Sequence, residues 1–164
     1  MTRWLRGSPE ALRSLMTGVK GTQWSWRTDD VDELCLRMGW ILNEVLEGEA
    51  ASGEAGMGIA DNELVMMFRD GRVEYLTIDV TQNLRDGGAD RDRFIRDAFA
   101  DAVDEGVSVL GEPGARQQTE PPTVRWRLDE DSTILVKNLE TTVTLTWASN
   151  RFQDEWDRIT EALA

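Results

Sequence analysis

The sequence has no histidine, one cysteine and one tyrosine, and only four prolines in 164 residues. Each scarcity excludes something. Without histidine there is no Ser-His-Asp or Cys-His catalytic set. The commonest general base and the commonest zinc ligand are missing with it. A single cysteine rules out an internal disulfide framework. Cys35 falls on an apolar helical stripe, where a thiol is expected to be buried and inert, because a reactive cysteine needs a partly exposed electropositive setting. Long hydrophobic runs are also lacking. The longest wholly apolar stretch, Leu64 to Phe68, is far too short to span a bilayer. The first residues, Met1 to Pro9, carry no apolar signal segment, so a cytoplasmic location is expected.

Positive charge is scarce as well. Eighteen basic side chains stand against 31 acidic ones, for a net charge of −13. Such a chain repels nucleic acid and anionic membranes, and the partner it favours is a protein with a basic surface. The imbalance is local. Residues 1–28 hold five basic side chains and one acidic, whereas residues 29–63 hold ten acidic and one basic, Arg37. Within that segment Glu44, Glu47, Glu49, Glu54, Asp61 and Glu63 are the candidate partner-facing residues. The stretch from Gly48 to Gly58, rich in Gly, Ala and Glu, reads as a mobile loop able to adapt to a partner.

What is present reads as one globular domain over residues 1–164, with 40% hydrophobic and 30% charged residues. Its organising element is Arg91 to Leu110. Phe94, Ile95, Ala98, Phe99, Ala102, Val103, Val107 and Leu110 recur at three- and four-residue steps, which puts them on one stripe of a helix. Asp90 suits its start, and Gly111 with Pro113 its end. Gly106 inside the helix implies close backbone packing. Ser8-Pro9-Glu10 opens an earlier helix, Thr28 or Asp29 a second, and Asn150 a last one with Phe152, Trp156, Ile159 and Leu163 on its apolar stripe. Trp24 and Trp26 alternate with Ser25 as in a short strand. Asp70-Gly71 marks a hairpin turn, because glycine accepts the positive φ needed there.

The blocks Asp29–Val80 and Asp90–Trp147 each read as a helix followed by three strands, which suggests a duplication. The expected class is α+β: an antiparallel sheet of two three-strand meanders packed against a long central helix and flanking helices. Val124, Trp126 and Leu128 alternate with Arg125 and Arg127, as Val143, Leu145 and Trp147 alternate with Thr142, Thr144 and Thr146. That alternation implies one sheet face on the helices and one in water. Arg125 and Arg127 are therefore a second candidate for a partner-binding face, since an arginine fork can grip a carboxylate at two points. Of the seven tryptophans, Trp126, Trp147 and Trp156 take core positions by periodicity. Trp24, Trp26 and Trp40 bracket the second helix and clamp it to the sheet.

Gly53, Gly56 and Gly58 resemble a phosphate-binding loop only superficially. No Gly-Lys-Ser/Thr follows, and nearby glutamates would repel phosphate. Carboxylate groupings at Asp29, Asp30 and Asp32, at Asp90 and Asp92, and at Asp129 and Asp131 each have a simpler role at a helix start or a turn. No catalytic residue, cofactor site or metal site is expected, and the chain reads as a binding protein rather than an enzyme.

Trp24-Ser25-Trp26, Asp29-Asp30-Val31, Gly39-Trp40, Asp97-Ala98-Phe99-Ala100, Leu110-Gly111-Glu112-Pro113, Pro122-Thr123-Val124-Arg125-Trp126-Arg127, Val143-Thr144-Leu145-Thr146 and Glu155-Trp156-Asp157 resemble an uncharacterised actinobacterial family of small acidic proteins. The resemblance covers most of residues 22–160 and departs most at Gly48–Glu63. Members look like immunity proteins of polymorphic toxin systems. The element order is also similar to that of secretion chaperones, including those of type VII secretion. The resemblance implies a module that occludes the active surface of a cognate toxin. The alternatives are a chaperone for a secreted protein and, from another class, a carboxylate enzyme.

Overall fold

The computed structural model describes residues 4–118, 121–128 and 131–163. The chain is α+β. It runs α1 (Pro9–Lys20), a 3-10 turn (Thr28–Asp30), α2 (Val31–Met38), β1 (Ile41–Leu46), β2 (Ala50–Glu54), β3 (Leu64–Arg69), β4 (Arg72–Asp79), α3 (Ala89–Leu110), β5 (Ala115–Gln117), β6 (Thr123–Arg127), β7 (Ser132–Asn138), β8 (Val143–Ser149) and α4 (Asn150–Leu163). The eight strands form one antiparallel sheet in the order β1-β2-β3-β4-β8-β7-β6-β5. Each half is a helical segment followed by four consecutive strands, and the halves meet where β4 pairs with β8.

Four strands per half, rather than three, corrects the expected meanders. The stretch read as a mobile loop contains β2, and the segment that follows the helix end at Gly111 and Pro113 contains β5. Ala-Ala-Ser-Gly-Glu has weak strand propensity, but β1 and β3 bracket it and supply its ladder. The strand expected at Trp24–Trp26 does not form. Only an isolated bridge joins Arg27 to Arg72, and Trp26 adopts φ 60 to turn the chain inward. The Asp70-Gly71 turn has φ 53 and 75, the primed hairpin geometry. Gly39 ends α2 in the left-handed region. The turn at Asp129-Glu130, and with it Asp129 as a carboxylate candidate, lies outside the described residues.

The core lies on one sheet face, against α1, α2 and α3. Along α3, Ile95, Ala98, Ala102, Val103 and Gly106 are buried, with Phe94, Phe99, Val107 and Leu110 at their margin. The helix begins after Gly88, not at an Asp90 cap. Arg91, outside the apolar stripe, is nevertheless buried; it pairs with Asp92 and Glu140 and donates to the carbonyls of Leu84 and Arg85. Trp24, Trp26 and Trp40 all pack their rings on the fully buried Trp147, at centroid distances of 6.3, 5.1 and 6.4 Å. That is the clamp their positions around α2 imply. Cys35 is buried, and burial followed by Asp32 pushes its thiol up to about 11.

The opposite face is only partly in water. α4 follows β8 without a loop and folds back across it. β8 is consequently buried at every position, including Thr144, Thr146 and Ser149. α4 also sits differently from its apolar pattern. Asn150 and Gln153 are its buried residues, while Trp156, Ile159 and Leu163 are exposed. Trp156 is therefore not a core residue.

Candidate functional site

The two edges of the sheet differ. Strand edges expose unpaired N–H and C=O groups, and proteins that stay monomeric shorten or block them. β5 is such an edge. It has three residues, with Arg116 at its centre, Pro113 before it, and Pro121 and Pro122 after it. β1 is longer, at six residues, and carries no proline or basic side chain. Ile41, Val45 and Leu46 are 61%, 57% and 49% exposed along it, so apolar surface faces solvent on both sides of the strand. A bulge at Asn43 interrupts its pairing with β2, and the Asn43 amide anchors it by donating to the Asp61 carbonyl at 2.6 Å. The apolar edge residues were not singled out in the sequence. The broken alternation of Ile41, Leu42, Val45 and Leu46 is the signal that marks a strand without one committed face.

Acidic groups surround this edge. Residues 41–63 contain six acidic side chains and no basic one. Glu44 lies opposite Ser52, and Glu54 opposite Ile41. Glu47 and Glu49 flank the turn into β2, and Asp61 sits beside the bulge. Glu44, Glu47, Glu49 and Asp61 are exposed and Glu54 is half-buried.

Glu63 is different, and its place among the partner-facing residues is corrected. It is 2% exposed. One carboxylate oxygen accepts the N–H groups of Ala55 and Met57 at 2.9 and 2.8 Å, and the other accepts those of Ile59 and Ala60 at 3.1 and 3.5 Å. Gly56 and Gly58, both with positive φ, turn successive amides inward to make this cradle. The glycine-rich segment thus forms an anion-binding loop after all, and the anion is its own glutamate.

Asp79 lies beside Glu63, and its backbone N–H donates to the Glu63 carbonyl at 2.8 Å. Burial, then the Glu63 charge, pushes the Asp79 carboxyl up to about 6. A raised acid favours the folded state only while protonated. Its contribution is full below the unfolded value of 3.8 and is lost as pH rises through about 6. Asp79→Asn is therefore expected to melt like the parent in acid near the unfolded value and to melt higher than the parent in mild alkali. Thermal scans of both proteins across that range check the sign. A parent more stable than the variant in alkali would contradict it.

Arg125 and Arg127 face α4 rather than open solvent. Arg125 binds Asp157 through two hydrogen bonds, at 2.8 and 3.0 Å, and Arg127 binds Asp154 through two, at 2.8 and 3.3 Å. Burial pushes the Asp157 carboxyl up, but hydrogen bonds from Arg125 and Gln153 outweigh it and hold it below the usual range. The two-point grip expected of these arginines is spent within the chain, on holding α4 to the sheet.

Among the described residues no group of three or more His, Cys, Asp or Glu side chains is arranged to hold a metal ion. Among the same residues no helix is long and apolar enough to cross a membrane. No curated protein and no solved structure matches the chain. Residues 10–149, from the second residue of α1 to the end of β8, match a family of unknown function, DUF6301, and the chain belongs to that family.

Proposed function

We propose that the chain is a non-enzymatic binding protein that docks a basic partner strand along the open β1 edge. The observation that carries this reading is the difference between the two sheet edges. One is short and flanked by proline. The other is long, apolar and lies in a segment, residues 41–63, that holds six acidic side chains and no basic one. Added strands take affinity from main-chain hydrogen bonds and specificity from side chains on either side. Here Ile41, Val45 and Leu46 supply apolar contact, while Glu44, Glu47, Glu49 and Asp61 select a basic neighbour. Through its resemblance to immunity proteins, the partner is read as a cognate toxin whose active surface is covered in the complex. A secretion chaperone would use the same edge to hold an extended segment outside any active surface.

The partner to test is the product of the neighbouring open reading frame. Replacing Glu44, Glu47 and Glu49 together by glutamine is expected to slow association about tenfold or more at low salt and hardly at all at high salt, since complementary charge acts mainly on the on-rate and is screened. The amides of β1 should gain protection from hydrogen exchange in the complex. Loss of the partner's activity on binding marks immunity, and retained activity marks the chaperone. An on-rate indifferent to salt, or β1 amides that exchange as in the free protein, would overturn the docking edge.

A further inference from the structure

A cleft of about 860 Å³ opens between α4 and the sheet face it only partly covers. Strand register sets its floor. Lys137 lies directly between Thr123 on β6 and Thr144 on β8, and Leu135 lies between Arg125 and Thr146. Tyr75 and Thr77 continue the floor on β4, while Phe152 and Trp156 of α4 form one wall. Trp156 and Leu139, at the cleft, are 54% and 42% exposed.

Lys137 is the odd group in this cleft. Among the described residues, the cations withdrawn from full exposure are Arg6, Arg91, Arg125 and Lys137. Arg6 pairs with Asp101, Arg91 with Asp92 and Glu140, and Arg125 with Asp157. Among the same residues Lys137 has no such carboxylate, in a chain where acidic side chains outnumber basic ones 31 to 18. Its ammonium is held below the usual lysine range by burial and then by Arg125. A half-buried cation without a counter-ion is costly, and an incoming anion relieves that cost.

From this geometry we infer that the cleft is a binding site for a small amphipathic monocarboxylic acid, its carboxylate on Lys137 between Thr123 and Thr144 and its apolar body against Leu135, Phe152 and Trp156. The volume is in the range of small-molecule sites, which are largely apolar with a few placed polar groups. A single free ammonium suits a single negative charge. Asp157 and Glu161 also line the cleft and would oppose a dianion such as phosphate. This inference is independent of the β1 edge, which lies at the far side of the sheet.

The test is calorimetric titration of the full chain with decanoate and, separately, with decanamide, which has the same body and no charge. Decanoate is expected to bind and decanamide to bind about tenfold more weakly or not at all, the usual reach of a charge-assisted hydrogen bond. Lys137→Met should abolish that preference, and Lys137→Arg should restore it. Thr144→Val should weaken decanoate alone. Circular dichroism of each variant separates lost binding from lost folding. If Lys137→Met does not fold, the charge-preference comparison on the parent and Lys137→Arg decides. Equal binding of acid and amide, or decanoate binding unchanged in folded Lys137→Met, would overturn the inference, as would the absence of any decanoate heat.

Discussion

Glu63→Ala is expected to be among the most damaging single substitutions in the chain. It removes the shared acceptor of four backbone N–H groups. The bonds to Ala55 and Met57 are buried, so those two donors have no access to water as a substitute. A buried donor left unsatisfied costs about 1–3 kcal/mol, which gives roughly 2–6 kcal/mol for the pair. Relief of the repulsion on Asp79 returns a smaller part. Net stability of a domain is only about 5–15 kcal/mol. At roughly 2–4 °C per kcal/mol for a chain of this size, the unfolding midpoint should fall by about 10 °C. Glu63→Gln keeps one carboxyl-type oxygen and should lose less. Denaturant or thermal melts of the three proteins check the order, and a midpoint unchanged in Glu63→Ala would show that the loop amides do not need the carboxylate.

Gly106→Ala is expected to destabilise the protein, although alanine is the better helix former by about 1 kcal/mol. A Cβ at Gly106 would lie 2.6 and 2.7 Å from Cη2 and Cζ2 of Trp126. That ring cannot retreat. It is 2% exposed, and its indole N–H donates to the Gly111 carbonyl at 2.8 Å, just past the end of the same helix. Overpacking a filled core costs about 1–3 kcal/mol, occasionally more, so after the helix-propensity gain the net loss is about 0–2 kcal/mol or greater, toward the upper end because the ring is held. Gly18, inside α1, is the control. A Cβ there meets only the terminal Cε and Sδ of Met38, at 3.0 and 3.5 Å, and a methionine tip moves readily. Gly18→Ala should be neutral or stabilising. The comparison turns on sign: if both alanines raise the melting temperature, the contact with Trp126 is not restrictive.

These residues also show what periodicity reveals and what it does not. The stripe on α3 and the glycine that lets Trp126 approach were legible, because helix spacing and a glycine in mid-helix are local signals. The Asp70-Gly71 turn was legible for the same reason. β2 was not, because Ala51 and Gly53 have little strand preference of their own. Gly53 is there because β1 passes so close that a Cβ would meet the Ile41 carbonyl at 2.0 Å, a contact only the folded sheet defines. The face of α4 was equally hidden. Its apolar stripe is clear in sequence, but its orientation follows the pairing of Asp154 and Asp157 with Arg127 and Arg125, some thirty positions away. At the candidate edge, the acidic side chains were visible as composition. Their division into an exposed set and the internal Glu63 was not, since a glutamate that satisfies a loop and one that faces solvent look the same in a string of letters.

The central seam has a consequence for how the chain is made. Within each half, successive strands are close in sequence, so their pairing closes small loops at little entropic cost. β4 finds its second neighbour only when β8 arrives, with Tyr75 against Ala148 and Asp79 against Thr144. On a ribosome adding about 5–20 residues per second, the roughly 60 residues between them leave the β4 edge bare for about 3–12 s. During that interval the edge carries Leu76 and Ile78, both fully buried in the finished sheet. The nascent first half therefore carries an adhesive edge that the finished sheet covers, and translation speed through α3 and the strands after it sets how long that edge stays open.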